Sequence, residues 1–116
     1  MPPLIKLPLP VVPDTAPIAA DRVLAGEPVQ DTWLEFADEA SGFYVGRCTP
    51  GKWRIAYTER EYCLLLSGVS VLTDEDGQAT TLRAGDAFVI PAGFRGTWEV
   101  LETTTKRFVI SEPPAG

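Results

Sequence analysis

Histidine is absent from the 116 residues of this chain. That removes Ser/His/Asp and Cys/His nucleophilic sites, and with them the imidazole-rich centres on which nickel, copper, zinc and non-haem iron usually depend. Cysteine is nearly missing: Cys48 and Cys63 are too few for a disulfide scaffold and are not spaced as a CxxC redox or zinc pair. Both read as buried thiols, a disulfide between them being the alternative. No apolar run nears the ~20 residues that a membrane helix needs. Prolines interrupt the apolar start MPPLIKLPLPVVP, so it lacks the core of a signal peptide, and a cytoplasmic location is the default expectation. Positive charge is scarce, with 10 Lys and Arg against 16 Asp and Glu and a net charge of −6. Such a chain repels phosphate backbones and anionic lipid, and no basic cluster offsets this, so neither nucleic acid nor membrane is expected as a partner. Neither a glycine-rich phosphate loop nor a dinucleotide fingerprint is present.

Turn formers and short apolar runs are abundant. A chain of this length makes one domain, and 45% hydrophobic residues suffice for a single core. Residues 1–28 read as an extended arm, because Pro2, Pro3, Pro8, Pro10, Pro13 and Pro17 remove amide donors and fix φ, which keeps the segment out of the middle of any sheet. Leu4, Ile5, Leu7, Leu9, Val11 and Val12 are too apolar for a solvated tail, so the arm is expected to pack on the domain or on a second copy. Residues 29–116 form the domain. There, short apolar or alternating runs recur at roughly 8 to 12 residue intervals, the pattern of an antiparallel sandwich or barrel. Strands are predicted at 33–37, 42–48, 53–58, 62–67, 70–73, 79–82, 87–90, 97–102 and 106–110. Asp74-Glu75-Asp76-Gly77 is a hairpin turn in which glycine supplies a positive φ. Gly68 is read as a turn between two strands, Gly85-Asp86 as the turn before Phe88, and Pro91-Ala92-Gly93 as a bend out of the next strand. Residues 102–106 are expected to be an exposed hairpin link and residues 112–116 a solvated tail. The fold class is all-β, a jelly-roll-like barrel.

Several spaced motifs carry a family resemblance: Pro50-Gly51-Lys52-Trp53, Glu61-Tyr62-Cys63 with Gly68, Leu72-Thr73-Asp74 with Gly77, Ala84-Gly85-Asp86 with Phe88, and the run from Pro91 through Gly93, Gly96 and Trp98 to Val100. In this order they resemble the small single-domain cupins of the DUF861 (Cupin_3) type, RmlC-like jelly rolls. Relatives of (S)-ureidoglycine aminohydrolase and of the ethanolamine-utilisation cupin belong to that group. The resemblance implies two histidines and a glutamate as metal ligands in a first motif and a histidine in a second, and barrels that pair through sheets and exchanged N-terminal strands. The chain is therefore expected to be a homodimer. Of the four ligands it keeps only the glutamate, as Glu61.

If Gly96 stands at the second motif's histidine position, alternation turns Trp98 and Val100 to the same inner face. The first motif's histidine positions fall on or next to Ile55 and Tyr57, with Trp53 pointing the same way and Glu61 facing the same cavity. Glu59 would lie at its edge. The expected ligand-binding residues are thus Trp53, Tyr57, Glu61 and Trp98, around either a small-molecule pocket or a filled core. Arg54, Arg60, Arg95 or Lys52 are the candidate partners of the Glu61 carboxylate. No metal or other cofactor is expected on ligand supply, Glu59, Glu61, Cys63 and Tyr57 being the remaining donors. As catalytic candidates, Tyr57 with Glu61 or Glu59 could move a proton on a carbonyl compound, or could be hydrogen-bonded simply to satisfy both groups. Three functions follow. The first is a metal-free protein that binds a small metabolite in an aromatic cavity. The second, implied by the resemblance, is a hydrolase or isomerase of small nitrogenous compounds. The third is a non-catalytic dimerisation domain.

Overall fold

Residues 2–7 and 12–111 are described by the structure, a computed structural model. They form nine strands and no helix, so none is long and apolar enough to cross a membrane. In chain order these are β1 (Asp14–Pro17), β2 (Val23–Gly26), β3 (Val29–Ala37), β4 (Ser41–Cys48), β5 (Gly51–Ala56), β6 (Arg60–Asp74), β7 (Ala79–Arg83), β8 (Ala87–Ile90) and β9 (Arg95–Ser111). All pairings are antiparallel. The order β1-β3-β4-β9-β5-β2 makes one run of the sheet, while β6 pairs with β7, β8 and β9. The predicted turns at Gly77, Gly85 and Gly93 are present, each glycine with φ between 84° and 92°.

The two longest strands correct the sequence reading. Residues 62–67 and 70–73 are not two strands joined by a turn at Gly68; they are one strand, β6, with a bulge. Before it, odd positions face inward (Glu61, Cys63, Leu65); beyond it, even positions do (Ser70, Leu72). The register against β9 shifts three times between Leu65 and Ser70. An inserted residue is what allows both halves of a strand with a changed phase to bury their apolar side chains. Gly68 occupies the bulge with φ 91°, where a Cβ would run into the carbonyl of Thr103. Residues 102–106, expected as an exposed link, lie inside β9. Thr104 and Lys106 are buried, and Thr104 shares a 2.7 Å hydroxyl contact with Ser70 of β6.

β1 and β2, both within the stretch read as an arm, form the two ends of the six-strand run. β4 and β5 lie end to end along one edge of β9, Cys48 opposite Thr104 and Gly51 opposite Val100, while β6 takes the other edge. Residues of β3, β4, β5, β6 and β9 all face one cavity, so the sheet is curled into a half-barrel. Residues 18–22 connect β1 to β2. Ile18 is buried, its N–H bonded to the Pro28 carbonyl at 3.0 Å, and residues 19–23 turn back on themselves through Arg22 N–H to Ala19 O at 2.9 Å. The result is a strap that borders the central cavity with Ile18 and Arg22. Leu4 and Val12 are exposed, and Leu7 lies against β4, β6 and β9. Leu9, Val11 and the predicted tail at 112–116 lie outside the described residues.

Candidate functional site

Inside the half-barrel is a cavity of about 330 Å³. Trp53, Tyr57, Glu61 and Trp98 all line it, so the inner face was correctly phased. Trp53 of β5 lies directly opposite Trp98 of β9, which stacks the two indoles at 6.3 Å with 5° between planes. Tyr44 of β4 lies opposite Phe108 of β9 and stacks on it at 5.0 Å. Tyr57 follows β5 and is fixed by the 91–94 turn: its N–H bonds to Phe94 O at 2.9 Å and its carbonyl accepts from Gly93 N–H at 2.7 Å. The glycine and proline of that turn thus place a side chain of the cavity.

The centre of the cavity is a residue that the sequence reading put on an exposed link. Lys106 lies opposite Gly46 across β4 and β9, where the missing side chain leaves room for the lysine stem and the Phe108 ring. Its Nζ is 3.4 Å from Glu61 Oε2, 4.1 Å from the Trp98 ring centre and 4.5 Å from that of Phe108. A carboxylate and two aromatic faces together replace the water that a buried ammonium gives up. The expected partners of Glu61 are elsewhere: Arg54 bonds the Asp21 carbonyl, Arg95 reaches Glu75, and neither Arg60 nor Lys52 is an ion-pair partner of Glu61 among the described residues. Alternation carried on from Trp98 through Thr104 would have brought Lys106 inside. The run of threonines between Glu102 and Lys106 masked that signal.

Cys63 donates to Glu61 Oε2 at 3.4 Å. Both cysteines are free and buried, and burial pushes the thiol of Cys48 up to about 11 and that of Cys63 to about 12. Neither is a thiolate at neutral pH. Burial, then the nearby Glu61 charge, likewise holds the Tyr57 phenol far above its usual range. Among the described residues no hydrogen bond joins Tyr57 to Glu61 or Glu59, and Glu59 is exposed outside the cavity lining. Sequence reasoning also missed Ile18 and Arg22, which reach the cavity from the strap, and Gln30 and Thr32 of β3.

These residues do not fit the metal centre that the resemblance implies. Among the described residues no three His, Cys, Asp or Glu side chains converge. The retained carboxylate already faces a fixed cation, and the neighbouring thiol keeps its proton. At Gly96 a Cβ would collide with the carbonyl of Thr73, so a ligand side chain there would require β6 to move.

Comparison with known proteins agrees with this architecture. Residues 36–108 match the family model of the EutQ-like cupin domain. A DUF861 protein of unknown function from Pseudomonas syringae superposes with a TM-score of 0.78 at 21% identity, over 86% of this chain and 43% of that one. The putative ethanolamine utilisation protein Q from Salmonella typhimurium gives 0.66 at 12% identity, covering 90% and 99% of the two chains. A DUF861 protein from Thermotoga maritima is 30% identical over 55% of this chain and 73% of its own, with a TM-score of 0.54. No curated protein sequence matches. The family match, spanning more than half of the chain, and the cupin fold make this protein a member of the EutQ-like cupin family.

Proposed function

We propose that this cupin binds a small metabolite in its central cavity, with Trp53, Tyr57, Trp98 and Glu61 as contact residues. The observation that carries the reading is that the barrel interior is open: about 330 Å³ remain between the two stacked aromatic pairs and the Lys106–Glu61 pair. Apolar walls with a few converging polar groups are the usual composition of a ligand pocket, and this volume is at the small end of the range. The test is a two-dimensional NMR screen of a metabolite library. Saturable shifts of the Trp53 and Trp98 indole signals, with Trp33 outside the cavity lining as an unmoved control, are the expected result. A library that moves neither indole would remove the reading.

The homodimer is proposed on separate grounds. Val89, Tyr62, Val109, Phe43 and Phe36 are successive cross-strand neighbours over β8, β6, β9, β4 and β3, an apolar row on the outer face with Tyr62 and Val89 about half exposed. Leu7 of the same chain already lies beside Phe43, Tyr62 and Val109, and a second copy would cover the part that remains exposed. Light scattering at micromolar concentration should give twice the chain mass, and Tyr62→Glu should give a monomer; a monomeric wild type would overturn the proposal.

A further inference from the structure

The charges around the cavity are not those of the protein as a whole. On a chain of net charge −6, the lining carries three cations, Arg22, Arg47 and Lys106, and one carboxylate, Glu61. Two of the cations are engaged: Arg47 with Asp31 at 2.6 Å and Lys106 with Glu61 at 3.4 Å. Among the described residues no acidic side chain lies within ion-pair distance of Arg22. Arg22 is exposed on the strap at the edge of the cavity, while the Lys106–Glu61 pair is buried within it. The lining thus offers an uncompensated guanidinium, two indoles and a neutral ion pair. A guanidinium receives a carboxylate through two parallel N–H···O bonds, and indole faces favour a flat partner. The volume equals that of ~11 liquid waters at ~30 Å³ each, which is room for a small molecule.

We infer that the cavity takes a small carboxylate with a flat, unsaturated body, the carboxylate held by Arg22 of the strap and the body lying against the Trp53 indole. This rests on the binding function proposed above and adds the ligand class and the residue that selects it. It also gives the segment joining β1 to β2 a role in recognition.

The probes are benzoate, benzamide and benzylamine, three molecules of one shape with negative, neutral and positive ends. They are titrated into the full chain while the Trp53 and Trp98 indole signals are followed. Benzoate should bind at least tenfold more tightly than benzamide, with benzylamine weakest. Arg22→Gln, an exposed change on a connector, should abolish that preference by lowering benzoate affinity, with the thermal midpoint unchanged. If benzamide or benzylamine binds as well as benzoate, or if Arg22→Gln leaves benzoate affinity intact, the carboxylate assignment falls and the binding function stands. If no probe binds, the assignment falls as well, and the metabolite screen then decides separately whether the cavity binds anything.

Discussion

Lys106 and Glu61 form an ion pair inside a barrel, at 3.4 Å, with 11% and 5% of their side chains exposed. Removing one member strands the other's charge away from water, at a cost of about 3–5 kcal/mol, whereas removing both is much less harmful. Lys106→Met and Glu61→Gln should each lower the urea midpoint strongly. The double variant should be more stable than the sum of the two losses predicts. Additive losses in this cycle would show that the pair is not coupled.

The same ammonium bears on metal binding. It occupies the approach to the Glu61 carboxylate, and few other donors are near. Protein purified without an affinity tag should carry no stoichiometric metal by plasma mass spectrometry. Added manganese, nickel, iron or zinc should leave its melting temperature unmoved. Near-stoichiometric metal would mean that carboxylate, thiol or phenolate ligands assemble in spite of Lys106.

Glycines of similar positive φ should differ in tolerance because their surroundings differ. Gly77, with φ 84°, has nothing near its missing Cβ, so Gly77→Ala should cost only the ~1 kcal/mol of a left-handed backbone. Gly68→Ala adds a collision with the backbone of Thr103 and Thr104. It should lose at least about 2 kcal/mol more in urea denaturation. Equal losses at the two sites would refute the close approach of β9 to the bulge.

Asp31 should govern part of the acid sensitivity. Its carboxylate accepts from Thr15 at 2.6 Å and from Arg47, which together hold it below the ordinary value of 3.8. Between that depressed value and 3.8 the unfolded chain binds more protons at this position than the folded one, so stability rises with pH across the window. The contribution is complete above 3.8 and is lost as the pH falls through the folded-state value. Asp31→Asn should flatten the stability profile in that acidic range alone. An unchanged profile would show that the group does not titrate differently on folding.

Much of this architecture is readable from residue pattern, and the exceptions share a cause. Residues 42–48, 79–82 and 87–90 alternate or run apolar between clear turn signals, and each is a strand within a residue or so. β6 and β9 were divided because a glycine bulge and a stretch of threonines look locally like loops, although their pairing on both sides of the bulge makes each a single strand. β1 was missed because a strand beside Pro13 and ending on Pro17 has a weak signal, and β2 because four residues, VLAG, are too few to show a pattern; strands with proline are tolerated at sheet edges, where an amide can go unpaired. The aromatic half of the site, Trp53, Tyr57 and Trp98, was legible from motif phase. Of its charged groups Glu61 was legible as well, whereas Lys106 and Arg22 depended on long-range pairing and on the strap.

β9 contributes Trp98 to the cavity ahead of an exposed stretch, Leu101 to Thr103, and Thr104, Lys106, Phe108 and Ile110 by alternation after it. The chamber can therefore change character by substitution at even-numbered positions, but not by a change in strand length. One residue inserted after Thr104 would turn the lysine, the phenylalanine and the isoleucine out to the surface and bring Arg107 and Val109 inside, while leaving Trp98 in place. Related chains that share this chamber are expected to differ freely in which side chains they present along β9 and to agree on its residue count.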